Sequence, residues 1–338
     1  MGLEPGSEAP YTADQAFGAY AVIGLLTIWG SRKHLARTFR LALRGAGKTM
    51  GDNEPASYRS AYLGLALGLG VSVTFAHRAG MALPVAVASI AILMALAIVI
   101  SRIRCELGFP VHDMHEMGPH AVLTRLVGPE NLSKSTLGAF SIFYWSDRVF
   151  RSHPMPHQME SFRLAAQPQA VGDMLRAVLV AGLFTIPVTF WIYLDGFYRL
   201  GAGTARVGPW GLDYGREIFP QLESWLRSPE HPVMGRWIGM MAGAAIAGAL
   251  AFARLRLVGF PLHPLGYAVA NSWGMFNLWL PVAIGSMCKA IVLRSGGLQA
   301  YRRATMLFYG LMLGEFAVGC SWTIVGMLMG ARTYDFWP

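Results

Sequence analysis

Long apolar blocks separated by short polar stretches run along most of the chain. Because the blocks are continuous rather than spaced on one helical face, they favour membrane spans over the surface helices of a soluble domain. A block of about 20 apolar residues is long enough for a helix to cross a bilayer. The pattern predicts an all-α, polytopic helical membrane protein with about six spans. The predicted spans cover residues 16–31, 58–77, 81–101, 174–197, 235–253 and 304–330.

Residues 259–293 form a further apolar block, which breaking residues interrupt. Arginines flank it on both sides, so the positive-inside rule places both of its ends on the same side of the membrane. We therefore expect a re-entrant or broken-helix hairpin with two arms of about 15 residues, whose freed backbone amides are buried in protein or line a watery cavity. The alternative is two short kinked helices packed through small residues. The interrupting residues are Pro261, Pro264, Gly266, Asn271, Gly274, Asn277 and Pro281.

Basic residues cluster at the ends of the apolar blocks and indicate the topology. The stretch SRKHLARTFRLALRGAGK (31–48) carries them at helical spacing beside Leu and Phe, as is typical of an amphipathic helix on the cytoplasmic membrane surface. From this anchor, we expect 198–234 to be an external loop. The predicted organisation is N-terminal spans with the amphipathic helix (1–101), a cytoplasmic gate-like loop (102–172) and C-terminal spans with the hairpin (173–338).

The composition agrees with a membrane protein and narrows the classes of function. Hydrophobic residues make up 54% and charged residues 14% of the 338 residues, whereas a soluble domain carries about 25% charged residues. The net charge of +9 does not indicate nucleic acid as a partner, because the basic residues lie at span ends. Three widely spaced cysteines do not indicate a disulfide framework. No segment resembles a P-loop, so an ion gradient is the expected energy source.

Two charged residues lie inside apolar blocks, Glu315 in the last predicted span and Lys289 near the end of the 259–293 block. A charge near the bilayer centre costs about 2.5–3.5 kcal/mol, so it needs a partner, a cavity or a protonation role. We expect Glu315 to face the bundle interior, where it takes up a coupling proton or pairs with Lys289 or an arginine. A structural ion pair that orients helices is the alternative.

Polar side chains near the expected break are candidates to line a substrate path. They supply hydrogen-bond donors and acceptors in an apolar stretch, although such residues more commonly satisfy freed backbone groups in membrane helices. These substrate-lining candidates are His263, Asn271, Ser272 and Asn277.

Two histidine clusters lie in the 102–172 segment, HDMHEMGPH (112–120) and HPMPHQME (153–160). In the second cluster, Pro154 and Pro156 argue against a regular helix. Zinc would accept such histidines, and the neighbouring methionines would suit Cu(I), so a metal site is one interpretation. Its ligands would be His112, His115, His153 and His157.

The favoured interpretation of the same region is a polar gate that holds neither a metal nor another cofactor. Its histidines would hydrogen-bond backbone or substrate, and its arginines would bind an anionic group or lipid headgroups. The gate residues are His112, His115, Glu116, Arg148, Arg151, His153 and His157.

Four motifs carry a resemblance to a known family: RIRCELGFPVHDMH (102–115), FYWSDRVFRSHPMPHQMESFRLA (143–165), GFPLHPLGYAVANSW (259–273) and LRSGGLQAYRRA (293–304). On these motifs the chain is similar to an uncharacterised family of bacterial polytopic membrane proteins, and more distantly to the oligopeptide transporter family. The resemblance is to the C-terminal half of longer members. It implies a second membrane subunit or a homodimer, and no catalytic residues.

The combined expectation is a secondary transporter, or half of one, in the bacterial inner membrane. Its solute would be small, polar, organic and peptide-like, its coupling would use an ion gradient, and its other partner would be membrane lipid. One rival is a membrane-embedded metalloenzyme that uses the two histidine clusters. The other is a non-transporting subunit of a membrane complex.

Overall fold

The computed structural model describes residues 11–45, 54–108, 114, 117–150, 153–165, 168–202, 210–229, 231 and 233–331, without the side chains of 168–169 and 210–214. These residues contain eleven α-helices, one 3₁₀ turn and no strand, which confirms the all-α fold class. The helices are α1 (Thr12–Arg44), α2 (Tyr58–Arg78), α3 (Leu83–Leu107), α4 (Pro119–Val127), α5 (Lys134–Asp147), α6 (Pro154–Leu164), α7 (Pro168–Leu200), α8 (Trp210–Arg227), α9 (Met234–Arg256), α10 (Pro264–Val269) and α11 (Trp273–Met329). The 3₁₀ turn, Pro129–Asn131, joins α4 to α5.

Five helices are long and apolar enough to cross a membrane, namely α2, α3, α7 from Ala170, α9 and α11. They identify the chain as a membrane protein with several spans. The apolar stretch of α7 has none of its residues buried inside the protein. Such a surface is stable next to hydrocarbon and would be costly in water.

The first helix, α1, combines two predicted elements. It runs without interruption from Thr12 to Arg44, so the predicted span 16–31 continues directly into the described part of the basic stretch 31–48. No proline lies between its ends, and Arg, Lys, Leu and Ala all favour helix. The separate amphipathic helix that the sequence indicated is therefore the second half of one long helix.

The chain divides into two compact units, Met1–Phe276 and Asn277–Pro338. The second unit consists largely of α11. At Gly297 the backbone of α11 leaves the helical region, with φ 61° and ψ −161°. This left-handed φ suits glycine, which has no Cβ to clash with the backbone, so two helical segments meet there.

The core of the first unit forms around a close contact between α1 and α9. A Cβ atom at Gly18 would overlap the carbonyl of Met240, and one at Gly243 would overlap the backbone of Gln15. Small residues at these positions let the two backbones approach, as in many membrane helix pairs. Tyr20 and Ile23 of α1 belong to the buried hydrophobic cluster that forms this core.

Helices α4 and α5 and the turn between them form a hairpin, residues 119–147, called the α4–α5 hairpin below. Its two open ends meet, because a Cβ at Gly118 would overlap the backbone carbonyl of Asp147. At its tip, the backbone N–H of Ala82, in the α2–α3 turn, donates to Oγ1 of Thr136 (3.1 Å). Thr136 is completely buried.

The hairpin lies along α3. Next to its open end, Met117 packs in one buried cluster with Ile103, near the end of α3. Farther along the hairpin, Leu137 packs in a second cluster with Ala86, near the start of α3. The 25 residues of α3 extend over about 37 Å. The 102–172 segment therefore contains a helical hairpin that packs beside α3.

Residues 259–293 contain an interrupted helix, in agreement with the broken-helix form of the prediction. The six-residue α10 packs in the core through Leu265 and Ala268. The chain then turns at 270–272 before α11 begins. The two parts differ greatly in length, whereas we expected two arms of equal length. The difference arises because Pro281 lies inside α11 without ending it.

Candidate functional site

The candidate functional site is a group of buried polar side chains at the base of the α4–α5 hairpin. At its centre, Nδ1 of His120 lies 2.9 Å from Oδ1 of Asp147. The two side chains are 4% and 5% exposed. A carboxylate only accepts hydrogen bonds, so Nδ1 of His120 carries the hydrogen and donates it. The backbone N–H of His120 also donates to Oδ2 of Asp147, at 3.4 Å.

Local sequence explains why these two residues meet. Pro119 occupies the first turn of α4, where its missing N–H costs no helical hydrogen bond. Gly118 has no side chain, so the start of α4 approaches the end of α5 at backbone distance. His120 is thereby placed opposite Asp147, the last residue of α5.

The imidazole of His120 has no partner at its second nitrogen among the described residues. Every polar contact of this side chain within that part of the chain is made through Nδ1. When the ring is neutral, Nε2 therefore keeps an available lone pair. Asp147 holds the ring in the orientation that a proton acceptor needs.

Tyr144 connects this pair to a second ionic contact. Its ring meets that of His120 edge to face, with 5.1 Å between centroids. Its hydroxyl hydrogen-bonds to Glu217 of α8. Glu217 also accepts from Arg148, with 2.6 Å between Nε and Oε2 and 3.3 Å between Nη2 and Oε1. Two parallel contacts of this kind fix both position and orientation.

Higher in α4, Arg125 faces the start of α1. Its Nη1 atom lies 4.0 Å from Oδ1 of Asp14, and Asp14 is buried. Arg125 and Arg148 thus each contact a different carboxylate. Asp147 has only His120 as a titratable partner among the residues that the structure describes.

The predicted gate residues have different positions. Arg148 belongs to the candidate site. His157 is exposed on α6. His112, His115, Glu116 and Arg151 lie outside the described residues.

His153 is a helix cap. Its Nδ1 accepts from the backbone N–H of Met155 (3.3 Å), so the neutral ring satisfies the first turn of α6. Burial lowers the pKa of His153, and the nearby His157 lowers it further. The expectation that Pro154 and Pro156 prevent a helix here was wrong, because both lie in the first turn of α6, where proline is tolerated.

His263 repeats this arrangement at α10. Its Nδ1 accepts from the backbone N–H of Leu265 at 3.1 Å, and Pro264 follows it directly. Burial lowers the pKa of His263, and the charge of Arg254 adds to that effect. Nε2 of His263 lies 3.6 Å from Oε2 of Glu106 at the end of α3.

The other substrate-lining candidates lie at or after the break before α11. Oγ of Ser272 accepts from the backbone N–H of Met275 (3.1 Å), which is a capping role. Asn271 is half-buried in the turn, and Asn277 is exposed at the start of the second unit. His263 and Ser272 thus satisfy freed backbone groups, the commoner role that the sequence left open.

In the second unit, Glu315 and Lys289 are both exposed. They form no ion pair with each other in the described part of that unit. Nζ of Lys289 instead lies 5.5 Å from the ring centroid of Tyr301. This is cation–π distance.

No group of three His, Cys, Asp or Glu side chains suited to a metal ion occurs within the described ranges. Nδ1 of His153 accepts a hydrogen bond from the first turn of α6, so this nitrogen is already occupied. His112 and His115, two of the four ligands in the metal interpretation, lie outside those ranges.

Sequence reasoning did not single out His120 or Asp147. One signal was present, namely two Gly-Pro steps, at 118–119 and 128–129, that bracket the apolar segment HAVLTRLV. Paired breaks of this kind mark a short helix. That α5 returns to bring Asp147 beside His120 is a tertiary fact that no local pattern contains.

Comparison with known families gives one match. The model of a family described as "Family of unknown function (DUF6785)" matches residues 1–338. The chain belongs to that family. No curated protein and no solved structure matches it.

Proposed function

We propose that this member of the family of unknown function is a secondary transporter, or half of one, that moves a small polar organic solute with an ion gradient. The observation that carries the proposal is the buried His120–Asp147 pair on a hairpin alongside spanning helices. Ionisable groups inside membrane proteins are costly, and they commonly serve ion or proton pathways. An apolar pair would hold the hairpin base at lower cost.

The course of the hairpin supports transport over a passive structural role. Irregular backbone at membrane depth persists only where it is buried in protein or lines a water-filled cavity. The turn Pro129–Asn131 and the irregular residues 148–150 would be such backbone, and they lie at the two ends of α5. A short hairpin with charged residues at its base can serve as the moving part for alternating access.

The charge distribution supports a bacterial inner-membrane location with the hairpin opening to the cytoplasm. Nη1 of Arg102 donates to Thr27 (2.7 Å), and the end of α9 brings Arg254 near His263. The basic ends of α1, α3 and α9 thus lie on the side from which the hairpin enters. The positive-inside rule assigns that side to the cytoplasm.

The class of solute rests on the motifs that resemble oligopeptide transporters. A peptide carries a carboxylate and an ammonium group. Arg148 and Glu217 are both partly exposed at the base of the hairpin and supply the complementary charges. We therefore assign solute contact to the hairpin base and helix capping to His263 and Ser272. Lipid, a second subunit or a second copy of the chain would cover the apolar surface of α7.

Transport is tested with purified protein in liposomes that contain a pH-sensitive dye. The vesicles receive an inward proton gradient and then a panel of di- and tripeptides and other small polar solutes. We expect at least one solute to increase proton entry above that of protein-free vesicles. His34→Gln, an exposed change on α1, should leave this signal unchanged.

Three results would contradict the proposal. Folded protein that moves no member of the panel, with either a proton or a sodium gradient, would remove the transporter assignment. Stoichiometric zinc, copper or iron in the purified protein would favour the metalloenzyme. A stable partner that co-purifies with the chain, together with no flux, would favour an accessory subunit.

A further inference from the structure

Among the described residues, three ionic contacts link the α4–α5 hairpin region to its own helices, to α1 and to α8, and their charges do not balance when His120 is neutral. These contacts contain three carboxylates and two guanidinium groups, which leaves one negative charge. A low-dielectric environment penalises an uncompensated charge strongly. One bound proton restores neutrality. The groups are Asp14, Asp147, Glu217, Arg125 and Arg148.

The pairing within this cluster identifies where the proton binds. Arg125 faces Asp14, and Arg148 faces Glu217. The remaining carboxylate is Asp147, whose partner in the described structure is His120. Protonating His120 therefore places the missing positive charge 2.9 Å from the carboxylate that lacks one.

Geometry selects Nε2 as the atom that takes the proton. Nδ1 already carries hydrogen, because it donates to Asp147. Nε2 makes no hydrogen bond to the described residues. Protonation there adds a positive charge and leaves the Nδ1–Asp147 contact intact.

Within the described part of the chain, the other titratable groups near the ring already have partners. From α5 the ring meets Tyr144, whose hydroxyl bonds to Glu217 of α8. In the connecting turn, Glu130 pairs with His231 at 2.6 Å. The titratable and charged groups of α3 all lie in its last two turns, and their partners are outside the hairpin: Arg102 with Glu106, Arg104 with Glu160, and Glu106 with His263.

We propose that Nε2 of His120 is the site that binds the transported proton, with Asp147 as its fixed counter-charge. Naming this proton as the coupling proton rests on the proposed transport function, whereas the existence of the proton site does not. A proton from water on the open side of the hairpin adds to the Nε2 lone pair. It leaves from the same atom when the hairpin exposes the ring to the other side, so no other bond changes.

The experiment compares His120→Gln, Asp147→Asn and the control His34→Gln in two assays. The first is ¹⁵N NMR of the imidazole nitrogens of the purified protein during a pH titration. The second is the liposome assay with a solute that gives a signal, measured as proton entry and as solute exchange without a gradient. Thermal unfolding establishes that each variant is folded.

We expect His120→Gln to abolish solute-dependent proton entry and to keep solute exchange. Asp147→Asn should move half-maximal proton entry to a lower external pH, because it removes the carboxylate that lies 2.9 Å from Nδ1 of His120. The NMR signal of Nε2 of His120 should report protonation while Nδ1 stays protonated, and Asp147→Asn should change that response.

The two proposals fail separately. If folded His120→Gln keeps solute-dependent proton entry, or if wild-type flux moves no proton, the coupling role of His120 is wrong and transport stands. If no solute is moved but Nε2 of His120 titrates with the response to Asp147→Asn, the proton site stands and transport is wrong. If Nε2 of His120 takes up no proton in the NMR titration, the proton site is overturned regardless of flux.

Discussion

Arg148 and Glu217 form a two-contact ion pair that joins α5 to α8, with Nε–Oε2 at 2.6 Å and Nη2–Oε1 at 3.3 Å. The sequence predicted these residues on opposite sides of the membrane, in a cytoplasmic loop and an external loop. Helix α8 also shares a buried cluster with α5 through Ile218 and Trp225. The two segments meet because α5 of the α4–α5 hairpin packs directly against α8.

The position of the hairpin predicts that two exposed residues are accessible from opposite sides of the membrane. Ser135 lies at the hairpin tip. Met159 lies on α6, and α6 is held at the end of α3 by the ion pair between Glu160 and Arg104. In a background without the three native cysteines, Ser135→Cys and Met159→Cys should react with an impermeant maleimide from opposite sides of sealed vesicles. Labelling of both from the same side would contradict a hairpin whose tip lies beside the α2–α3 turn.

The Arg148–Glu217 contact predicts non-additive effects on stability. Each single change, Arg148→Gln or Glu217→Gln, should lower the free energy of unfolding, and the double variant should cost less than their sum. The side chains are 28% and 37% exposed, so we expect a coupling energy of up to about 1 kcal/mol. Thermal unfolding in detergent measures it. Asp173→Asn, which breaks the exposed contact with Arg176, should have almost no effect, and additive single changes would contradict the prediction.

Substitution by alanine should change protein stability in opposite ways at two glycines of the hairpin region. A Cβ at Gly118 would overlap the backbone carbonyl of Asp147, which cannot rotate away, so Gly118→Ala should cost about 1–3 kcal/mol in stability. Gly138, inside α5, has no neighbouring atom within 4 Å of an added Cβ. Gly138→Ala should be neutral or stabilise by about 0.5–1 kcal/mol, as expected for a helix interior. Equal melting temperatures for the two variants would show that the ends of the hairpin are farther apart.

The His153 cap predicts a loss of stability in acid. The cap requires an unprotonated Nδ1, and burial with the nearby His157 lowers the pKa of His153. Because the folded protein binds this proton less readily than the unfolded chain, the contribution is complete above the ordinary value of 6.5. It is lost as the pH falls from there through the folded-state pKa.

Hydrogen exchange of the first-turn amides of α6 measures this loss. Between pH 7.5 and 5, protection should fall in the wild type and change less in His153→Asn, since asparagine caps a helix without titrating. His157→Gln removes one of the two causes of the lowered pKa, so it should raise the folded-state pKa of His153 and reduce the total loss of protection in acid. Identical pH profiles for the wild type and His153→Asn would show that the imidazole is not the cap.

The amino-acid sequence by itself determined the fold class and most of the spans. Continuous apolar blocks about 20 residues long have one stable outcome in a bilayer, because a helix satisfies its own backbone. The spans at 58–77, 81–101 and 235–253 correspond closely to α2, α3 and α9. The motifs also indicated an uncharacterised family, which the family match confirms.

Only the tertiary structure decided which polar residues meet. Between His120 and Asp147 lie 26 residues of chain, and their contact depends on how α5 returns beside α4. No local propensity encodes that return, since it depends on burial in a cluster that α5 shares with α2, α3 and α8. Conversely, His153 and His263 looked like ligands or solute contacts in the sequence, and the structure shows helix caps. Residue type fixes what a side chain can do, whereas its neighbours fix which of those roles it performs.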